Sequence, residues 1–317
     1  MKAAVVQSRS SPPRYTEFDE PDRREGEETV DVAAAALTNF ARSSAASTRG
    51  DPAALPFVAG ADGVGRLGDG RRVYFLRSRA PYGSMAEQTV VPDGQAFPVP
   101  DSIDDVTAAA LMNPGISAWT SLADRAQLQP GQRVLILGAT GVTGRMAVQV
   151  ARLLGAGTII AAGRSPEGLA RASQLGADQT IRLDGDSAEV LAKTVGPDGV
   201  DAVIDYLWGP PVEALLAALT SRPAGSPSRS LRLVQVGDMA GSTITIPSAA
   251  LRLNNLVILG NGIGTMTKES LSNAVNRVFD AGSAGKLVVD AEAIPLSDVE
   301  AAWHRSTSGS RLVLVPR

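Results

Sequence analysis

Gly138, Gly141 and Gly144 recur at every third position directly after four apolar residues, Val134, Leu135, Ile136 and Leu137. An apolar-rich stretch with helical periodicity follows over 146–154. The segment therefore reads as a short buried strand, a tight turn and the start of a helix. Backbone N–H groups in such a turn can close on a pyrophosphate, and the helix end adds partial positive charge. A Cβ at these positions would block that approach or demand a costly positive φ. Ala139, Thr140, Val142 and Thr143 complete the turn and are candidate cofactor contacts beside the glycines.

A turn of this spacing also occurs in loops that bind nothing, so the flanking elements must carry the assignment. A second apolar strand is expected over 158–162, running into Gly163, Arg164 and Ser165. A helix over 166–175 is closed by Gly176, a residue suited to a helix C-terminus. Further strands are expected over 179–183, 202–206 and 231–236, with helices over 187–195 and 212–219. Alternating strands and helices imply parallel βαβ units, and short apolar strands imply a sheet covered on both faces.

The end of the second strand discriminates between dinucleotides. An Asp or Glu about 20 residues beyond the turn would bond the ribose hydroxyls of NAD. Arg164 and Ser165 stand there instead, with Arg171 in the next helix. A guanidinium suits a 2′-phosphate, and a carboxylate repels it. NADPH is therefore the expected cofactor, with Gly163, Arg164 and Ser165 at its adenosine end.

The rest of the chain must supply a substrate site. At 317 residues, 44% hydrophobic and 20% charged, it suits two globular domains. A net charge of −3 without a basic block argues against a nucleic-acid partner. No apolar run is long enough for a signal peptide or a membrane span. With no cysteine in the chain, a cytoplasmic location is expected. Zero cysteines and a single histidine, His304, disfavour zinc, whose ligands are drawn from Cys, His and carboxylates. No Ser-His-Asp or Cys-His set forms without His304, which lies in a helix-like run over 299–305 and reads as a surface or packing residue. No metal site is expected. Before residue 100, short apolar runs alternate with Gly and Pro, the pattern of a compact and mostly antiparallel β domain. A helix over 101–111 with Ser102 as its N-cap follows. Residues 222–229, rich in Pro, Ser and Arg, read as a surface loop.

Several segments, in their order, resemble a known family. They are Leu37-Thr38-Asn39-Phe40, the run from Pro56 to Gly65 around Gly60-Ala61-Asp62, and Tyr82-Gly83-Ser84-Met85-Ala86-Glu87. Ala108-Ala109-Ala110-Leu111, the glycine turn, Leu175-Gly176-Ala177-Asp178 and Arg311-Leu312-Val313-Leu314 complete them. Together they resemble the medium-chain dehydrogenase/reductase superfamily, in its zinc-independent quinone oxidoreductase branch. The resemblance implies an α/β protein with a GroES-like, mostly antiparallel β domain at 1–112, completed by 262–317. It implies a Rossmann doubly wound parallel-sheet domain for NADP at 113–261. It places Gly237 and Met239 beside the nicotinamide and adds Ser117 and Tyr206 to the cofactor contacts. Where zinc-dependent relatives carry a His ligand, this chain has Gly60-Ala61-Asp62.

The chain also departs from that pattern. Arg42 and Ser44 stand where the family commonly has Asp and Tyr, and the segment between Gly65 and Arg72 is shortened. Asp205-Tyr206-Leu207-Trp208-Gly209 replaces a smaller Asp-x-Val-Gly-Gly. Asn113-Pro114 resembles the pair in mitochondrial enoyl reductases, which keeps an enoyl thioester open as substrate.

The chemistry needs few groups. A nicotinamide supplies hydride, and the protein holds it against an electrophilic carbon. Reduction of a quinone or an α,β-unsaturated carbonyl leaves negative charge on an oxygen, which a hydrogen-bond donor must meet. Asn39, Tyr82 and Tyr206 are the candidates for that role. The alternative is a protein that binds NADPH as a sensor or interaction partner with little turnover. A short-chain dehydrogenase fold fails on position, because its glycine turn lies near the N-terminus. The apolar run 256–260 reads as an edge strand, which suits pairing with a second copy in a homodimer.

Overall fold

The computed structural model describes residues 1–47, 55–184, 187–195, 199–220, 230–305 and 309–316. The loop expected over 222–229 lies outside the described residues. The chain divides into two units, Met1–Asn113 with Phe279–Arg317, and Pro114–Val278.

The second unit carries a six-stranded sheet, and every pairing in it is parallel. Its order across the sheet is Gln179–Arg182, Thr158–Gly163, Arg133–Leu137, Ala202–Asp205, Leu231–Gln235 and Leu256–Gly260. Apolar residues on adjacent positions serve both faces. Leu135, Leu137, Ile160, Val203 and Leu233 pack with Leu191, Val212, Leu215 and Leu216 of the helices Ser187–Val195 and Pro210–Thr220. Their neighbours Val134, Ile136, Ile159, Ala161 and Ile204 are equally buried. Both faces are therefore covered, as a parallel sheet requires. The helix Pro166–Gln174 ends as its sequence indicates, with Gly176 at φ +113°.

The first unit is built on the ten-residue strand Glu27–Ala36. It pairs antiparallel with Asp62–Leu67, Gln88–Pro92 and, from the far end of the chain, Arg311–Val315. A smaller sheet joins Lys2–Val6 to Arg14–Glu17 and Phe57–Val58. Together the units give the α/β class, with one antiparallel and one Rossmann-like sheet.

Two local expectations need correction. The helix expected over 101–111 begins at Asp105 and runs to Trp119. Asp104 caps it in place of Ser102, since its carboxylate accepts from Thr107 N at 2.9 Å and Thr107 Oγ1 at 2.7 Å. Asp is as good a cap as Ser and sits nearer the first buried turn. The helix passes through Pro114 and continues as a π-helical segment, Thr120–Arg125. Such segments gather at functional sites.

Candidate cofactor site

The sheet order reverses between Arg133–Leu137 and Ala202–Asp205, and open α/β sheets hold ligands at the carboxyl ends of strands at such a point. Each glycine after the first of these strands has its own reason. Gly138 takes φ +88°, and a Cβ there would lie 3.2 Å from Tyr206 Cβ and Leu207 Cδ2. A Cβ at Gly144 would strike Gly138 O at 2.3 Å, so this glycine lets the helix Val142–Leu153 close on the turn. Gly141 is open, its nearest neighbour being Gly138 O at 3.6 Å. Gly141 is also the N-cap of that helix, where no side chain caps the first turn and no acid enters it. Backbone donors with a clear approach and no competing carboxylate fit a pyrophosphate.

Thr140 carries the turn across to the next strand. A Cβ at Gly163 would lie 2.4 Å from Thr140 Cγ2, and one at Gly168 would lie 2.6 Å from Thr140 Cβ. Arg164 follows Gly163, exposed and without an ion pair among the described residues. Ser165 is the N-cap of Pro166–Gln174. Its Oγ accepts from Gly168 N at 3.1 Å and bonds Glu167 at 2.9 Å, so that hydroxyl is already engaged. Val142 is buried and Ala139 fully so, which leaves backbone groups, Thr140 and Thr143 as the accessible polar groups of the turn.

The ends of the next strands complete the rim. Tyr206 is 9% exposed, and its hydroxyl is buried beside Ser117. Burial pushes its phenol well above the ordinary range; nearby Ser117 opposes part of the rise and Asp205 adds to it. A Cβ at Gly237 would lie 2.9 Å from Tyr206 O, so the chain stays close there. Met239 is exposed. Asn261, which sequence reasoning missed, is 7% exposed directly after the last strand. Its Nδ2 donates to Ser117 O at 3.3 Å, Thr120 Oγ1 at 3.0 Å and Ser121 Oγ at 2.7 Å. It ties the strand end to the junction of helix and π-helical segment. The only signal in the sequence is an Asn between Gly260 and Gly262, which reads equally well as a turn.

In the first unit, Asn39 opens the helix Asn39–Ala46, exposed, with Thr38 Oγ1 accepting from Ala41 N at 2.9 Å. Tyr82 donates to Glu20 O at 3.3 Å, lies under the Arg79 guanidinium at 5.3 Å and meets Phe18 edge-on at 6.0 Å. Its hydroxyl is engaged in holding the N-terminal segment. Arg42 donates to Ala302 O at 3.3 Å and Arg305 O at 2.8 Å, capping the carbonyl end of the helix Val299–Trp303. The departure from the family pattern at this position is therefore a tie between two helices. His304 is exposed at the C-cap of that helix.

Asp62 follows Ala61, in the stretch where zinc-dependent relatives carry a ligand. It is buried, and its Oδ2 accepts from Tyr74 Oη at 3.0 Å. Burial lifts its carboxyl to about 6, against the opposing pull of Tyr74 and Arg311. Burial likewise brings the Arg311 guanidinium down to about 10. Among the described residues, no group of three or more His, Cys, Asp or Glu side chains could hold a metal ion.

Comparison with known proteins agrees with this geometry. A family described as zinc-binding dehydrogenase matches residues 142–280. A probable NADPH-dependent quinone reductase of Emericella nidulans is 28% identical over 361 aligned positions, covering 100% of both chains. A 2-haloacrylate reductase of Burkholderia is 30% identical over 253 positions, covering 75% of this chain and 72% of the other. The solved quinone oxidoreductase of Thermus thermophilus is 30% identical with a TM-score of 0.81, covering 99% of this chain and 100% of the other. With relatives of this likeness spanning its length, and with its glycine turn set at the switch point of a parallel sheet, the chain belongs to the medium-chain dehydrogenase/reductase family, in its quinone oxidoreductase-like branch.

Proposed function

We propose that this chain is an NADPH-dependent reductase of quinones or α,β-unsaturated carbonyls that works without zinc. The observation that carries the reading is the open Gly141 at an uncapped helix start, with Arg164 and no acid at the end of the neighbouring strand. The relatives' substrates, a quinone and a haloacrylate, are both electron-poor alkenes conjugated to oxygen.

When bound, NADPH supplies the hydride. The turn from Gly138 to Thr143 holds the pyrophosphate through backbone N–H groups, and Arg164 meets the 2′-phosphate. Tyr206 and Asn39 are each a candidate donor for the oxygen that gains charge. Tyr82 ranks below them because its hydroxyl already donates to Glu20 O. Zinc independence is supported by the donor set: no cysteine, one exposed histidine, and an Asp62 carboxyl bonded to Tyr74. We further propose a cytoplasmic homodimer whose substrate domain combines the N-terminal β sheet with the returning C-terminus.

The test is a panel of 1,4-quinones, enones, enoyl thioesters and 2-haloacrylates with NADPH, followed at the cofactor's absorbance. Turnover of one class with NADPH, unaffected by chelators and without stoichiometric zinc in the protein, supports the reading. Tight NADPH binding with no turnover across the panel favours a sensor role instead.

A further inference from the structure

Trp208 holds φ at +56°, and Gly209 after it at +59°. A bulky residue in the left-handed region is an outlier that surrounding structure must enforce, and such outliers gather where function needs a fixed shape. The enforcing group is Asp205. Asp205 is 0% exposed. Oδ1 accepts from Leu207 N at 2.9 Å, and both carboxylate oxygens accept from Trp208 N at 3.1 Å. Its main-chain oxygen also accepts from Val236 N at 2.8 Å and Gly237 N at 3.2 Å. One residue thus organises the turn after its own strand and the end of the next.

The turn has no room to take another course. On one side, Tyr206 and Leu207 lie so close to Gly138, the first glycine of the phosphate turn, that a Cβ there would sit 3.2 Å from both. On the other, Ala240 N donates to Leu207 O at 2.7 Å, and a Cβ at Gly209 would lie 2.8 Å from Ala240 O. Leu207 and Trp208 also pack on the core cluster that includes Val212 and Leu215. Three strand ends at the switch point are therefore locked together through residues 205–209.

We infer that Asp205 is a positioning residue for the cofactor: its carboxylate holds Trp208 in the left-handed conformation and so presses the 206–209 turn against Gly138, which sets the shape of the phosphate turn. Asp205 touches no cofactor atom itself. The inference rests on the NADPH reading above.

A double-mutant cycle read by NADPH affinity tests it, with thermal unfolding to confirm that each variant is folded. Adenosine 2′,5′-bisphosphate serves as a second probe, because it lacks the nicotinamide and the pyrophosphate bridge. Asp205→Ala should weaken NADPH about 10- to 100-fold, as loss of charge-assisted hydrogen bonds implies. It should weaken the bisphosphate much less. Trp208→Gly alone should change NADPH binding little. Added to Asp205→Ala, it should restore most of the lost affinity, because glycine adopts a positive φ without a clamp. Asp205→Asn keeps one acceptor oxygen and should fall between wild type and Asp205→Ala. Folded Asp205→Ala that binds NADPH like wild type overturns the inference. So does a loss that Trp208→Gly does not rescue, since a general loss of packing would not respond to glycine. Wild-type protein that binds neither probe would instead overturn the cofactor reading.

Discussion

At the scale of single residues, two side chains make separable predictions. Arg164 has no ion pair among the described residues to lose. Arg164→Ala should therefore weaken NADPH by about 1.5–3 kcal/mol, the worth of a hydrogen bond to a charged group, and leave NADH unchanged. Equal losses for the two cofactors would remove Arg164 from the 2′-phosphate. Asp62 concerns stability. Its carboxyl titrates near 6 in the folded protein, against 3.8 ordinarily. A raised acid binds its proton more readily folded than unfolded, so its contribution is largest below pH 4 and is lost as pH rises to 6. The full change is about 3 kcal/mol for a shift of this size. Urea unfolding of wild type and Asp62→Asn across pH 4–7 should show the wild type losing ground over that window and parallel curves above it. A constant difference would mean that the carboxyl titrates normally.

At the scale of elements, the glycine turn separates folding from binding. Gly141→Ala meets only Gly138 O at 3.6 Å, and φ of −80° suits alanine. Its stability should stay within about 0.5 kcal/mol of wild type, while NADPH binding falls because the new methyl stands where the phosphate approaches. Gly144→Ala puts Cβ 2.3 Å from a backbone oxygen. The helix must move off the turn, at about 1–3 kcal/mol of overpacking, and binding should fall with stability. Calorimetry for affinity and thermal unfolding for stability, run on both variants, check the contrast. These positions were legible in the sequence because a strand, a turn and a helix are local patterns. The clamp at Asp205 was not, because nothing local says that a carboxylate bonds the two N–H groups following it or that Trp208 turns left-handed.

At the scale of the whole molecule, the strand Leu256–Gly260 ends the parallel sheet, paired on one side only among the described residues, with Val257 37% exposed. An apolar edge with unpaired backbone groups invites a second copy. Light scattering at micromolar concentration should give twice the chain mass of 32.7 kDa. Val257→Lys, a charge on the edge, should shift the protein toward monomer without unfolding it. A wild-type monomer, or a dimer indifferent to the lysine, would reject this edge as the interface.

The sequence by itself determined the class of the molecule. Apolar runs of four and five residues alternating with helical periods read as a covered parallel sheet, and glycines at 138, 141 and 144 answer to the turn between them. It also determined that Arg164 and Ser165, rather than an acid, directly follow Gly163, and that thiol and imidazole ligands are scarce, which are matters of residue identity alone. Tertiary structure decided what each side chain does with its polar atoms. Arg42 reads as a substrate-site substitution but caps a helix some 260 residues away in sequence. The Tyr82 hydroxyl donates to Glu20 O, while that of Tyr206 is buried beside Ser117. Asn261 ties a strand end to Ser117, a contact spanning 144 positions. The reason is physical: secondary structure follows from neighbours along the chain, whereas the partner of a hydrogen-bonding group is whatever the fold brings within about 3 Å.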